Sequence, residues 1–403
     1  MGSNGATFQT RYSSDVIERN AMASGVDGTR VATQLAEQLA APGLRLAVAY
    51  ADARVDLATF ARELQRRLDA PVVGCSANAV IGVAAADAGE PISVALGLYG
   101  DWLRAGVGVA TELAKSPIAR SRDAIRRAAA ALGTHAEALD PVEHVAFTLV
   151  DGSSGHDDAF CIGSAAAAPQ IKVVGGVAPL DRTGERRPQV FANGEALADA
   201  GVAVVLETRR RFEAFSSQHV VPTELKAVVT ATGHHRGPGE SATAGGRGVI
   251  TELDGRPAVP RLRELLESIG IDLHAPRPTS YTFARYVDGI PYVRVIRAID
   301  GDSIQLAASV EPGHVMRVMR TGDLVGTTRA DLAAVAARIG GISALLAWSC
   351  MARHWEAEAS GLARELAEVY ASYPICGYRS LGEQAGMLLV NYTLAGLAIG
   401  ELR

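Results

Sequence analysis

The sequence predicts an α/β protein: layered sheets with helices, in two related halves, plus an antiparallel meander in the C-terminal half. Three observations lead there. A strand-length apolar run, a polar or small-residue turn, a middle segment and a second apolar run closed by glycine recur at 44–80, 145–180 and 344–381. Another apolar strand follows each glycine: "ISVALGLYG", "GVAVVLE" and "LLVNYTLAGLAIG". Between the second and third copies the runs "YVRVIRAI", "SIQLAAS" and "HVMRVMR" are joined by the turns "DGD" and "EPGH", which reads as a meander.

The first copy opens with "LRLAVAY" and continues into a segment with Leu57, Phe60, Leu64 and Leu68 at helical spacing. The second copy opens with "VAFTLVDGSSGHDD". The third opens with "ALLAWSCMARHWE" and has Leu362, Leu366 and Val369 at helical spacing. The closing glycines are Gly74, Gly175 and Gly377. A glycine at the same place in each copy predicts either a sharp turn or a close approach by another backbone or a ligand. A helix is expected at about 259–269, between Pro260 and Gly270, and another over "RADLAAVAARIG".

The domain reading follows. Residues 1–20 are a tail, 21–210 a first domain and 211–403 a second. The Gly/Ser-rich stretch 233–247 reads as an exposed, flexible loop. A length of 403 residues allows a large core, and 48% hydrophobic with 21% charged residues is globular. A net charge of −5 without a basic stripe argues against nucleic acid or an anionic membrane as the main partner. The four cysteines form no CxxC pair and no Cys/His cluster of zinc spacing, so no metal site is expected. The N-terminus shows no apolar signal region, and "MLLVNYTLAGLAIG" is too short to span a bilayer; a cytoplasmic location is expected.

Taken together, "AWSCMAR", "ICGYRSLGE" and "NYTLAGLAI" resemble the C-terminal half of FIST-domain proteins: a strand with Cys-x-x-Arg, a Gly-aromatic-x-x-x-Gly-Glu turn and a last strand with Asn-x-Thr. "ITELDGRPAV" and "YVRVIRAID" look like the start of that half. "VVGCSANAVIG", "VVGGVAPLDRTG" and "VFANGEALADAGVAVVLE" resemble the N-terminal half. The resemblance implies a bacterial sensory module for a small ligand, working in signal transduction. Some members of the family are haem-containing nitric-oxide sensors that regulate histidine kinases, so it also implies haem as a cofactor to be tested. The chain departs from the common pattern in the loop "GHHRGPGESATAGG" and in lacking a fused kinase, cyclase, phosphodiesterase or receiver segment, so its signalling partner would be a separate protein.

The candidate ligand-binding residues are Cys350, Arg353, Gly377, Tyr378, Glu383, Asn391 and Thr393. Cys350 is read as a pocket wall, a buried core residue or a nucleophile; a nucleophile needs a base, and His354 next to Arg353 would point away on a helix. Arg353 with the first turn of a helix makes an electropositive spot, and Arg353 with Glu383 makes a charged pair across two turns. Gly377 and Tyr378 lie in the "YRSL" region, either at a ligand or in packing. Asn391 and Thr393, on one face of an apolar strand, either face the pocket or fix that loop. "DGSSGHDD" is acidic but matches no EF-hand, and a capped turn entering a helix accounts for it. His234 and His235 in the loop, His219 between domains and His314 after a turn are poor axial ligands, and no CxxCH is present for covalent haem. No catalytic residue is assigned. The expectation is a small-molecule sensor. The alternatives are an enzyme that uses a cleft around Cys350, Arg353 and Glu383 on a small metabolite, and a scaffold with an empty site.

Overall fold

The computed structural model describes residues 16–82, 89–180, 186–233, 248–273, 280–287 and 289–403. Most of the loop read over 233–247 therefore lies outside the described residues, as does most of the N-terminal tail.

The chain builds one unit three times. The first is β1 (Glu18–Ser24), α1 (Gly28–Leu39), β2 (Leu44–Asp52), α2 (Leu57–Arg67), β3 (Val72–Ala77), β4 (Val80–Ile81) and β5 (Ile92–Tyr99). The second is β6 (Leu103–Thr111), α3 (Pro117–Ala131), β7 (His144–Asp151), α4 (Asp157–Ala167), β8 (Val173–Ala178), β9 (Val190–Ala192), β10 (Glu195–Leu197) and β11 (Ala200–Thr208). The third starts with β12 (Arg210–Gln218). It is then interrupted by β13 (Val220–Gly233), β14 (Val249–Leu253), β15 (Arg256–Pro257), α5 (Ala258–Glu267), β16 (Tyr281–Val287), β17 (Ile290–Arg294), β18 (Ile296–Asp300), β19 (Ser303–Leu306) and β20 (Val315–Thr321). It resumes with α6 (Leu324–Ile339), β21 (Ala344–Cys350), α7 (Met351–Ala359), α8 (Ala363–Ala371), β22 (Ile375–Ser380), β23 (Glu383–Ala385), β24 (Leu388–Val390) and β25 (Thr393–Leu402).

Each unit gives a sheet in the same order: β1-β5-β2-β3, β6-β11-β7-β8 and β12-β25-β21-β22. The register also repeats. Ala21, Ala95, Ala49 and Gly74 stand in one row, Gly108, Ala203, Thr148 and Gly175 in the second, Phe215, Gly396, Ala347 and Gly377 in the third. The three closing glycines thus share one geometry, and the reason is close approach. A Cβ on Gly74, Gly175 or Gly377 would lie 1.7, 2.3 or 2.0 Å from the carbonyl oxygen of Ala49, Thr148 or Ala347 on the parallel neighbour.

After the glycine strand each unit hands residues to another. β4 extends the third unit's sheet at β22, β9 and β10 extend the first unit's at β3, and β23 and β24 extend the second unit's at β8. The exchange closes a cycle of three. The inner sheet faces share one apolar core that includes Val48, Phe147, Val204, Leu206 and Trp348. The helices cover the outer faces through separate clusters. Alternation along each strand explains this, because successive side chains face the core and the helix layer in turn.

The interruption sits where the first two units have only the short links from β1 to α1 and from β6 to α3. It forms an antiparallel sheet in the order β17-β16-β20-β13-β14-β19-β18, with α5 against its own apolar core. The turn "DGD" joins β18 and β19 as a hairpin, whereas β20 lies between β13 and β16 and away from β19. Local turn chemistry sets the hairpin, but the place of β20 is set by long-range pairing. Among the described residues no helix is long and apolar enough to cross a membrane.

Candidate functional site

Strand β21 ends at Cys350 and α7 begins at Met351. In register, Cys350 corresponds to Asp52 of the first unit and Asp151 of the second, each three residues past the row position. The two aspartates cap turns: Asp52 Oδ1 accepts from Arg54 N at 2.9 Å, and Asp151 Oδ1 accepts from Ser153 N at 2.8 Å. Asp151 Oδ2 also accepts from Asp199 N at 2.7 Å. Cys350 stands in the matching nest, with the N–H groups of Ala352 and Tyr392 directed at its sulfur. Tyr392 occupies the place of Asp199, and both have a left-handed backbone, with φ of 58° and 49°. The acidic "DGSSGHDD" segment is thus a capped turn, and among the described residues no group of three His, Cys, Asp or Glu could hold a metal ion.

Arg353, on α7, is fully buried. Its NH2 donates to Thr328 Oγ1 of α6 at 2.6 Å, and its NH1 lies 3.3 Å from Nδ1 of His219. His219 Nε2 is 2.7 Å from Glu356 Oε2. Guanidinium can only donate, so Nδ1 accepts and Nε2 carries the proton toward Glu356. Burial is the main cause that holds His219 below its ordinary pKa, which fits this neutral tautomer. Glu383, on β23, is fully buried and accepts from Ser380 Oγ at 2.5 Å. Burial pushes its carboxyl well above the usual range, against the pull of Ser380 and Arg353. Burial and the adjacent Glu383 likewise push the Cys350 thiol far up.

The structure therefore brings Cys350, Arg353 and Glu383 together, with Asn391 and Thr393 beside them. The expected charged pair of Arg353 with Glu383 is not a direct one. The arginine's terminal nitrogens are taken by Thr328 and His219, and Glu383 is bound by Ser380. Asn391 Nδ2 donates to the Leu381 carbonyl at 3.4 Å, and Thr393 Oγ1 donates to the Asn391 carbonyl at 2.8 Å while accepting from Gln218. Gly377 lies within the sheet between Ala347 and Ile81. Tyr378 lies in the central core, its ring centroid 4.8 Å from that of Tyr50. Arg353 Nε, Glu383 Oε2 and Asn391 Oδ1 are buried without a partner among the described residues.

Sequence reasoning missed His219, Glu356, Thr328 and Ser380 as members of this cluster. Ser380, three residues from Glu383, and Glu356, one helical turn after Arg353, are local enough to have been found. It also placed His354 away from the chemistry. His354 Nε2 lies 2.9 Å from Ser349 Oγ, which is 3.0 Å from the Tyr370 hydroxyl, so this chain of bonds ties α7 and α8 to β21. Burial holds His354 well below its ordinary pKa.

That depression sets a pH dependence. A histidine kept neutral in the fold stabilises it fully above the unfolded pKa of roughly 6.5, and the stability is lost as pH falls below that value. Glu383 acts in the opposite sense, since a raised carboxyl pKa costs stability as pH rises past its unfolded value. Comparing wild type with His354→Gln isolates the histidine. From pH 7 to pH 5.5 the wild type should lose up to about 1.4 kcal/mol per pH unit more than the variant, measured by urea unfolding. Parallel pH profiles would show that His354 is not kept neutral.

Most of the described histidines offer haem no free axial nitrogen, although His156 Nε2 is buried without a partner. His219 has both ring nitrogens engaged, and His354 Nε2 is held by Ser349. The Nδ1 atoms of His144 and His314 are engaged by local backbone N–H groups. Two surface depressions of about 350 and 510 Å³ are lined by Ser76, Arg186 and Gln189 and by Met22, Gln34 and Gln38 among others, with neither histidine nor cysteine in either. His234, His235 and His274 lie outside the described residues.

The mixed α/β chain carries two domains of a sensory signal-transduction family, one regarded as binding small ligands. The sequence model of the FIST N domain matches residues 45–256, and that of the FIST C domain matches 258–386. The chain belongs to the FIST family. It also aligns with the crystal structure of a cyanuric acid hydrolase from A. caulinodans, at 12% identity over 95% of this chain and 99% of that one, with a TM-score of 0.34. That likeness is too distant to carry an argument. No curated protein matches the chain.

Proposed function

We propose that this chain is a cytoplasmic sensor that binds a small molecule in its third unit, at Cys350, Arg353, Glu383, Asn391 and Thr393. It passes occupancy to a separate signalling protein such as a histidine kinase, with 21–210 and 211–403 as its working domains. One observation carries the reading: Arg353 Nε, Glu383 Oε2 and Asn391 Oδ1 are buried and unpaired in one cluster. A buried polar group left without a partner costs about 1–3 kcal/mol, so three such groups together favour a guest that pairs with them. Family membership supports the same reading. The enzyme reading is weaker, because the Cys350 thiol is held far up and the nearest histidines are already bonded.

The experiment is native mass spectrometry of the purified protein, with a thermal-shift screen of small metabolites. A bound mass, or a metabolite that raises Tm, is expected for the wild type. Glu383→Leu should lose it while keeping a cooperative melt, because leucine fills much of the volume of the carboxyl but offers a guest no polar atom. A ligand held equally well by Glu383→Leu, or no response to any compound, would remove this site.

A further inference from the structure

The segment 220–321 has its own apolar core, in which Val229, Leu262, Phe283 and Ile304 take part. It meets the rest of the chain in a different and smaller cluster, where Ala284, Val293 and Met319 cover Cys350, Ala352 and Tyr392, and Ala308 joins the core under α4. Two sets of polar ties flank that contact. Arg294 NH1 donates to the Leu389 carbonyl at 2.7 Å, and Ser309 donates to Asp158 Oδ2 through Oγ at 2.8 Å and through N at 3.1 Å.

The chain enters the segment after His219 and leaves it at Gly322, and the two backbones touch. A Cβ on Gly322 would lie 2.6 Å from the His219 carbonyl oxygen. A body with a separate core, hung on two adjacent chain crossings, has the form of a hinged element. His219 belongs to both parts of the device. Its backbone is at the hinge, and its ring is clamped between Arg353 and Glu356. The unpaired atoms of Arg353, Glu383 and Asn391 lie in the buried cluster next to this contact, and neither of the two surface depressions described reaches them. A guest can reach them only if something moves.

Charge limits what that guest is. The buried guanidinium of Arg353 is balanced through His219 by the buried carboxylate of Glu356. An ion added to this balanced interior would carry its full desolvation cost without a counter-charge. We propose that the segment 220–321 is a lid, hinged at His219 and Gly322, that lifts to admit a small uncharged hydrogen-bonding molecule to the cluster around Cys350. The choice of guest rests on the ligand-site reading above, whereas the motion rests on the lid's own contacts.

The four cysteines supply the test, because all are free and buried. Cys75 and Cys376 lie in the central core, away from the lid, whereas Cys161 lies in the core under α4 that Ala308 of the lid joins, so Cys75 and Cys376 are the references against which Cys350 is read. The full-length protein is treated under native conditions with methyl methanethiosulfonate, and separately with its trimethylammonioethyl and sulfonatoethyl analogues. Each cysteine is followed by peptide mass spectrometry. The neutral reagent is expected to modify Cys350 at least tenfold faster than Cys75 and Cys376. Corrected for their rates on glutathione, the charged reagents should be at least tenfold slower at Cys350 than the neutral one. His219→Gln, which loosens the clamp, should raise the Cys350 rate by tenfold or more and leave those of Cys75 and Cys376 unchanged. A Cys350 rate in the wild type equal to those of Cys75 and Cys376 would overturn the lid, since only global unfolding would then expose Cys350. Charged reagents as fast as the neutral one at Cys350 would overturn the restriction to uncharged guests. Neither result depends on finding the natural ligand, so failure of the lid is separate from failure of the sensor reading.

Discussion

Gly74→Ala is expected to cost at least about 3 kcal/mol and to leave little folded protein. The added Cβ would lie 1.7 Å from the Ala49 carbonyl oxygen and 2.4 Å from Cζ of Phe191. The first neighbour is backbone of a parallel strand, and the second is a fully buried ring that packs on Phe60. Neither can give way without opening the contact between β2 and β3 or the one between β3 and the incoming β9. Gly386→Ala is the control. Its backbone is left-handed, with φ of 62°, but no atom lies within 4 Å of the added Cβ, so only about 1–2 kcal/mol of backbone strain is expected. Urea unfolding of both variants checks this. Similar losses at the two positions would mean that the repeated glycine is there for its conformation and not for close approach.

Arg353→Met should be the next most damaging change, at about 3–5 kcal/mol, the range for removing one partner from a buried charged network. Methionine fills much of the volume, so the loss is electrostatic. Thr328 Oγ1 loses its donor, His219 Nδ1 loses its proton source, and the buried Glu356 carboxylate loses the charge that balances it through His219. The double variant Arg353→Met with Glu356→Gln should recover part of that loss, because no uncompensated charge remains. A double variant no more stable than Arg353→Met alone would show that the arginine acts through packing. Both variants are read by denaturant unfolding, independently of any ligand.

The candidate site was only partly legible. Cys350, Arg353, Glu383, Asn391 and Thr393 were singled out because they fall at strand ends or inside apolar runs, where a polar residue has no local reason to be. Gly377 and Tyr378 were placed beside them by sequence proximity, yet strand alternation turns Tyr378 into the central core and leaves Gly377 under a neighbouring carbonyl. His219 was read as a lone histidine between domains. Its partners Arg353 and Glu356 are more than a hundred positions away in sequence, so no pattern around it could reveal them.

The sequence by itself determined the repeating strand, helix, strand and glycine, because hydrophobic periodicity and chain punctuation are local properties. It also determined that three copies exist, since the row positions 74, 175 and 377 carry the same residue for the same steric reason. Tertiary structure alone decided that the copies close into a cycle by exchanging strands β4, β9 with β10, and β23 with β24. It alone decided that the segment 220–321 covers Cys350. Both outcomes depend on pairing between residues far apart in the chain. Such pairing is chosen by which buried faces and backbone edges complete one another, and a short window of sequence holds only one side of each pair.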